Sequence, residues 1–302
     1  MNNRINITQE KIKAKEREHK WNNIREKARV FFGSGLIIKI SFMIIVLFIF
    51  IAIFCPLLTP HSPFTQSLAE RLQGPSAKYL LGTDSVGRDV LTRLMFGARI
   101  SIFTGLLSSF WAALIGVTLG LIAGYFGGHV GGTIMRLTDA QLSIPPLILV
   151  MVLVPILGGT ILGISLGIGI SAVPSYVRMV YGQVLSLREE DYITAASLVG
   201  QNNFNIMLKH LLPNCFPTLI VMVTMSVSVA VMIESALAFI GVGITPPTPA
   251  WGTMIAEGYN YLFSAPHLAI LPGLCLIALI VSLSIVGDGL RDALDPRLRG
   301  KL

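Results

Sequence analysis

The side chains able to do nucleophilic, acid–base or metal chemistry are few in this chain and badly spaced for it. His19, His61, His129, His210 and His267 stand apart, with no two at metal-ligand separation. Cys55, Cys215 and Cys275 are an odd set of thiols, each within or beside an apolar stretch, and no CxxC pair occurs. Their expected role is apolar packing. Gly300-Lys301 ends too close to the terminus for a GxxxxGK[ST] phosphate loop, so ATP hydrolysis by this chain is not expected. Gly167-Ile168-Gly169 lacks the strand-to-helix setting of a dinucleotide fingerprint and reads as packing glycine. His129 and His267 fall in loops without a nucleophile elbow, which argues against a hydrolase. No metal and no cofactor is expected. Glu234 is different, because it interrupts an apolar run. An acid in lipid is costly and is a functional candidate by default. Both a substrate contact and a hydrogen bond to a neighbouring helix are open to it, the second being favoured. Asp139 and Asp288 are expected near solvated helix ends.

The other patterned polar segment runs from Arg188 to Gly200. Ile193, Ala196, Ser197 and Gly200 recur at i, i+3, i+4 and i+7, a small-residue helical face. Gly200 suits a helix stop, and Asn202 or Asn203 can cap a second helix. That second helix carries Phe204, Met207, Leu208, Leu211 and Leu212 at amphipathic spacing, and Pro213 is expected to end it. Two short helices joined at Gly200, roughly at right angles, would form a knuckle. Such a knuckle fits a groove on a partner that moves it, or lies as an interfacial pair on lipid.

The elements that must hold these residues are membrane spans. The chain has 302 residues, of which 53% are hydrophobic and only 13% charged. A soluble domain carries about a quarter of its residues charged, so much of this surface faces lipid. The net charge of +7 sits mostly in the first forty residues and the last dozen, which flank apolar spans. No basic groove with interleaved aromatics appears, which argues against nucleic acid.

Six spans are expected: about 36–58, 101–125, 142–157, 161–180, 216–240 and 268–286. Residues 1–35 are a charged arm, read as retained rather than as a cleaved signal, that either lies on anionic lipid or is solvated. The second span carries Gly116, Gly120, Gly124 and Gly128 at four-residue spacing, a stripe that lets two backbones approach. Pro174 falls inside the fourth span. Residues 158–161 and 241–267 hold no Lys or Arg, which places them outside and both termini inside, at the cytoplasmic membrane. The 59–99 connection is then outside although it holds Arg71, Lys78, Arg88, Arg93 and Arg99. The overall division is an arm at 1–35, a first helix at 36–58, an outer connection at 59–99, a five-helix core at 100–290 with the knuckle at 186–214, and a tail at 291–302.

Ala195-Ala196, Gly200, Ile206 and Leu212-Pro213-Asn214 resemble the EAA motif of ABC importer permeases, with Thr194 where that motif has Glu. Leu81-Gly82-Thr83-Asp84 with Gly87-Arg88-Asp89, Pro246-Pro247-Thr248-Pro249-Ala250-Trp251-Gly252, and Gly287-Asp288-Gly289-Leu290-Arg291-Asp292 resemble signatures of C-type permease subunits of dipeptide, oligopeptide and nickel importers. The resemblance implies an all-α type I importer permease fold with six membrane helices. It assigns ATPase coupling to Thr194, Ala195, Ala196 and Gly200. It implies a second homologous permease subunit, two ATPase subunits and an extracytoplasmic substrate-binding protein as partners. Peptides are the expected substrate and nickel or a metal chelate the alternative. A secondary transporter is the rival from another class, and it would need midplane ion-coupling residues and usually an inverted repeat.

Overall fold

The computed structural model describes residues 30–33 and 35–294. The expected arm and the end of the expected tail therefore fall largely outside the described residues. Helices dominate, and no strand forms among the described residues beyond one bridge between Thr83 and Asp89. Five helices are long and apolar enough to cross a membrane, and six if a bent pair is taken as one span.

Helix α1 (Leu36–Leu58) coincides with the expected first span and runs through Pro56. Helix α2 (Val90–Phe126) begins well before the expected Ser101. Asp89 caps it, accepting from the Thr92 amide at 3.1 Å and the Thr92 hydroxyl at 2.5 Å. Its first turns bury polar Thr92 and Arg93, so hydropathy hides the start. At about 1.5 Å per residue α2 is longer than the hydrocarbon core is thick.

The third span is broken. Helices α3 (Gly128–Leu142) and α4 (Pro146–Leu157) meet at 93°. Pro145-Pro146 explains the break, since two consecutive prolines remove two amide donors and force extended backbone before each. Gly128 consequently lies outside the α2 stripe. It opens α3 with a φ of +50°, and a methyl there would meet open space.

Helix α5 (Ile161–Leu187) passes through Pro174 and continues seven residues beyond the expected end at Val180. Helix α6 (Asp191–Leu198) follows, then α7 (Asn203–Phe239). Pro213 was expected to separate a short helix from the fifth span, yet α7 runs through it. A π-helical turn at Met207–Leu211 shifts the hydrogen-bond register just before the proline, so the missing donor does not stop the helix. The 241–267 connection holds an unforeseen helix, α8 (Trp251–Tyr259), and α9 (His267–Leu294) closes the described bundle.

The tightest seam joins α2 to α5. A Cβ added at Gly120 would stand 2.7 Å from the Val180 Cβ and 2.9 Å from the Val177 carbonyl. At Gly124 it would meet Val184 at 2.7 Å, and at Gly116 it would collide with Tyr176. The three glycines thus mesh with Tyr176, Val180 and Val184, a four-residue period on each helix.

Candidate functional site

The knuckle forms as a tight helical elbow. Gly200 has φ +80°, its amide donates to the Ser197 carbonyl at 3.0 Å, and the Gln201 amide reaches the Ala196 carbonyl at 3.1 Å. These two bonds are a Schellman stop, which needs a left-handed residue where glycine stands. Asn202 then caps α7, accepting from the Phe204 amide at 3.2 Å.

The elbow has two faces. Ile193 and Ala196 are buried with Val184, Ile206, Leu211 and Cys215 in one cluster of the bundle. Thr194 and Ala195 are exposed, and so are Leu198 and Val199 at 82% and 84%. Of the sequence-derived coupling residues, Thr194, Ala195 and Gly200 therefore face outward, while Ala196 anchors the elbow inward. Leu198 and Val199 are the pair that periodicity missed. They fall outside the small-residue face, and only their exposure singles them out. The Asn214 amide donates to the Tyr192 hydroxyl at 3.3 Å and to the His210 carbonyl at 2.7 Å, tying α6 to the start of α7. Tyr125 at the end of α2 donates to the Asn203 side chain at 2.8 Å. A displacement of the elbow therefore pulls directly on α2, α5 and α7.

Within the bundle, Ser109 of α2, Tyr176 of α5 and Ser226 of α7 meet midway along their helices. The Tyr176 hydroxyl lies 3.1 Å from Ser109 and 2.7 Å from Ser226, and Ser109 also touches Ser226. They border a cavity of about 230 Å³ whose remaining walls include Ser108, Ser175, Met222 and Met225. Met222 and Met225 also line a cleft of about 640 Å³ that reaches Asn214, Thr218 and Arg291.

At the opposite end of α2, an ion-paired knot gathers the Leu81–Asp89 and Pro246–Gly252 signatures. Arg88 donates to Asp84 at 2.5 Å and to Glu257 of α8 at 2.8 Å. Arg93, only 1% exposed, lies 3.4 Å from Asp84 and 3.5 Å from Glu257, and donates to the Pro247 carbonyl at 3.2 Å. The Trp251 indole donates to the Leu94 carbonyl at 2.9 Å, and its amide donates to the Ser101 hydroxyl at 3.2 Å. A methyl on Gly97 would strike Trp251 at 2.8 Å. The Leu81–Asp89 segment and the Pro246–Gly252 segment, far apart in sequence, are thus two halves of one lock.

Glu234 is fully buried near the C-terminal end of α7. Ser235 donates to one of its oxygens at 3.4 Å, and the other has no hydrogen-bond partner. Ser101 of α2 stands beside the carboxyl, which fits a helix-joining role better than a position in the cavity, whose walls do not include it. Asp139 pairs with Arg178 at 2.6 Å on the exposed surface, and Asp288 is exposed, as expected for helix ends.

Residues 116–300 match the family described as the binding-protein-dependent transport system inner membrane component, and residues 39–75 match the N-terminal TM domain of oligopeptide transport permease C. The chain is 40% identical over 273 residues to the di/tripeptide transport system permease protein DppC of Pseudomonas aeruginosa, covering 88% of this chain and 89% of that one. It is 40% identical over 260 residues to the dipeptide transport system permease protein DppC of Alkalihalophilus pseudofirmus, covering 86% of each. The glutathione transport system permease protein GsiD of Pectobacterium atrosepticum shares 35% over 258 residues, 85% of this chain and 86% of that one. A solved chain of the inward-facing MetNI methionine ABC transporter superposes with a TM-score of 0.53 at 21% identity, covering 68% of this chain and 97% of that one, and so shares the fold. With more than half its length matched to one family and full-length relatives at this identity, the chain belongs to the inner-membrane permease components of binding-protein-dependent ABC transport systems.

Proposed function

We propose that this subunit forms half of the pore of an ATP-driven importer of di- and oligopeptides, paired with a second, homologous permease subunit. Two ATPase subunits dock from the cytoplasm, and an extracytoplasmic binding protein delivers peptide from outside. Both termini and the elbow lie in the cytoplasm. The peptide-carrying relatives at 40% identity support the substrate class, and nothing in the elbow favours a metal chelate.

The observation that carries the mechanism is the elbow. Its inner face is fused to the bundle core and its outer face presents two bare aliphatic residues, Leu198 and Val199. Exposed apolar side chains in a polar segment mark an interaction surface, and we read this one as the seat of the ATPase subunits. ATP closes the ATPase pair, Thr194, Ala195, Leu198, Val199 and Gly200 move with it, and the buried side of the elbow carries the force into α2, α5 and α7. The bundle thereby shifts between inward-facing and outward-facing states, each nucleotide state binding one of them better.

Leu198→Asp with Val199→Asp tests this. Both side chains are exposed, so folding and membrane insertion should persist. The ATPase subunits should no longer co-purify with the permease pair, and ATP-dependent peptide uptake into vesicles should be lost. Normal uptake by that double variant would contradict the assignment. Uptake that collapses on depolarisation with ATP intact would instead favour a secondary transporter.

A further inference from the structure

We infer that the mid-bundle cavity bordered by Ser109, Tyr176 and Ser226 is a contact site for the peptide backbone on the transport path. This rests on the peptide-importer reading above and adds the residues that meet the substrate and the part of the substrate they read.

Three features converge on it. The first is position. The three hydroxyls stand midway along α2, α5 and α7, the helices to which the elbow is fused. The cavity of about 230 Å³ shares Met222 and Met225 with the larger cleft of about 640 Å³, whose walls reach Asn214 and Arg291. The two spaces therefore lie along the same pair of adaptable side chains.

The second is chemistry. No charged side chain lines the inner cavity. A hydroxyl donates and accepts, so a serine or tyrosine can serve a peptide N–H or a peptide C=O with equal ease. The feature that all peptides share is that repeating neutral amide. A fixed charge would instead discriminate among side chains and hold oppositely charged ones. Neutral hydrogen bonds are individually weak, net about 1 kcal/mol, which suits a step that must also let go. The methionines bring flexible, polarizable walls that adapt to differing side chains.

The third is preorganisation with spare capacity. Tyr176 and Ser109 are buried and hold one another and Ser226 in place. Ser109 is further fixed by the Val223 carbonyl at 3.3 Å. Ser175, on the next position of α5, is exposed in the cavity wall and its hydroxyl makes no hydrogen bond among the described residues.

The test uses the complete transporter in inside-out vesicles, with Cys55, Cys215 and Cys275 replaced by alanine. Ser175→Cys should react with a membrane-impermeant maleimide from the cytoplasmic side without nucleotide. Excess tetra-alanine should slow that reaction, and trapping with ATP and vanadate should abolish it. Ser175→Ala and Ser226→Ala, at the exposed and half-buried hydroxyls of the wall, should each lower tetra-alanine uptake about threefold to tenfold, the value of one neutral hydrogen bond. Ser175→Thr, which keeps the hydroxyl, should hold uptake near the wild-type level, which a merely destabilised bundle would not show. Wild-type assembly that takes up no peptide would sink the importer reading itself. Wild-type uptake with Ser175→Ala and Ser226→Ala both unaffected, or with Ser175→Cys inert in every nucleotide state, would overturn this site alone.

Discussion

At the scale of single residues, the same amino acid has opposite consequences in two places. Gly120 and Gly182 both sit inside helices. A methyl on Gly120 meets the Val180 Cβ at 2.7 Å and the Val177 carbonyl at 2.9 Å, and both are stiff neighbours. A methyl on Gly182 meets nothing within 4 Å. Helix propensity alone favours alanine over glycine by about 1 kcal/mol. Gly182→Ala should therefore hold or raise the melting temperature of the purified assembly. Gly120→Ala should lower it, because separating α2 from α5 costs about 1–3 kcal/mol of overpacking strain. Equal melting temperatures for the two variants would count against the seam. The four-residue period made Gly116, Gly120 and Gly124 readable from the sequence. It misled at Gly128, because periodicity continues through a chain reversal that only the backbone reveals.

At the scale of elements, apolar length was the dependable signal and polar burial the misleading one. Helix α1 was delimited closely, since after Lys39 and Ser41 near its start the run is apolar up to Pro56. The start of α2 was missed because Arg93 and Thr92 read as loop, while the fold buries Thr92 against its Asp89 cap and Arg93 against Pro247 and Glu257. Helix α8 was missed because it is short and enclosed in a Pro/Gly-rich stretch. The elbow was readable as two helices meeting at Gly200, but not which face turns outward, because that depends on Val184 and Ile206 in other segments.

The outer connection also contains a charge tie between Glu70 and Lys78, 2.5 Å apart. The Lys78 ammonium, and then the Tyr79 hydroxyl, hold the Glu70 carboxyl below its ordinary value, and Glu70 raises Lys78. A depressed carboxyl stabilises the fold above its unfolded pKa and loses that contribution as pH falls through the folded value. A raised lysine does the reverse at the alkaline end. Local order around 67–80 should therefore be flat through neutrality and fall in acid. Amide exchange or limited proteolysis of that segment between neutral and acid pH reads this out, and Glu70→Gln should remove the acid limb. A segment whose acid response is the same in that variant would show that the tie contributes nothing.

At the scale of the whole molecule, the charge flanking the first span decides which way the bundle sits. The 59–99 connection looked too basic for the outside. The structure reassigns part of that charge. Arg93 and Arg99 belong to α2, which leaves Arg71, Lys78 and Arg88 between α1 and α2. On the other flank of α1 stand Arg4, Lys11, Lys13, Lys15, Arg17, Lys20, Arg25, Lys27 and Arg29. Orientation follows the lysine and arginine bias near the first span and not net charge. The asymmetry therefore favours an inner N-terminus however the outer arginines are later paired. Pairing acts after insertion. Burying Arg88 and Arg93 against Asp84 and Glu257 spares the outer lock two exposed charges and fixes α8 onto α2. Ala77 is exposed in the outer connection and Glu189 is exposed just before α6, and the three native thiols are buried or half-buried. In intact cells an impermeant maleimide should label Ala77→Cys and leave Glu189→Cys untouched, and inside-out vesicles should give the reverse. The opposite pattern would place the elbow outside, away from cytoplasmic ATP, and no nucleotide-driven partner could then reach Leu198 and Val199.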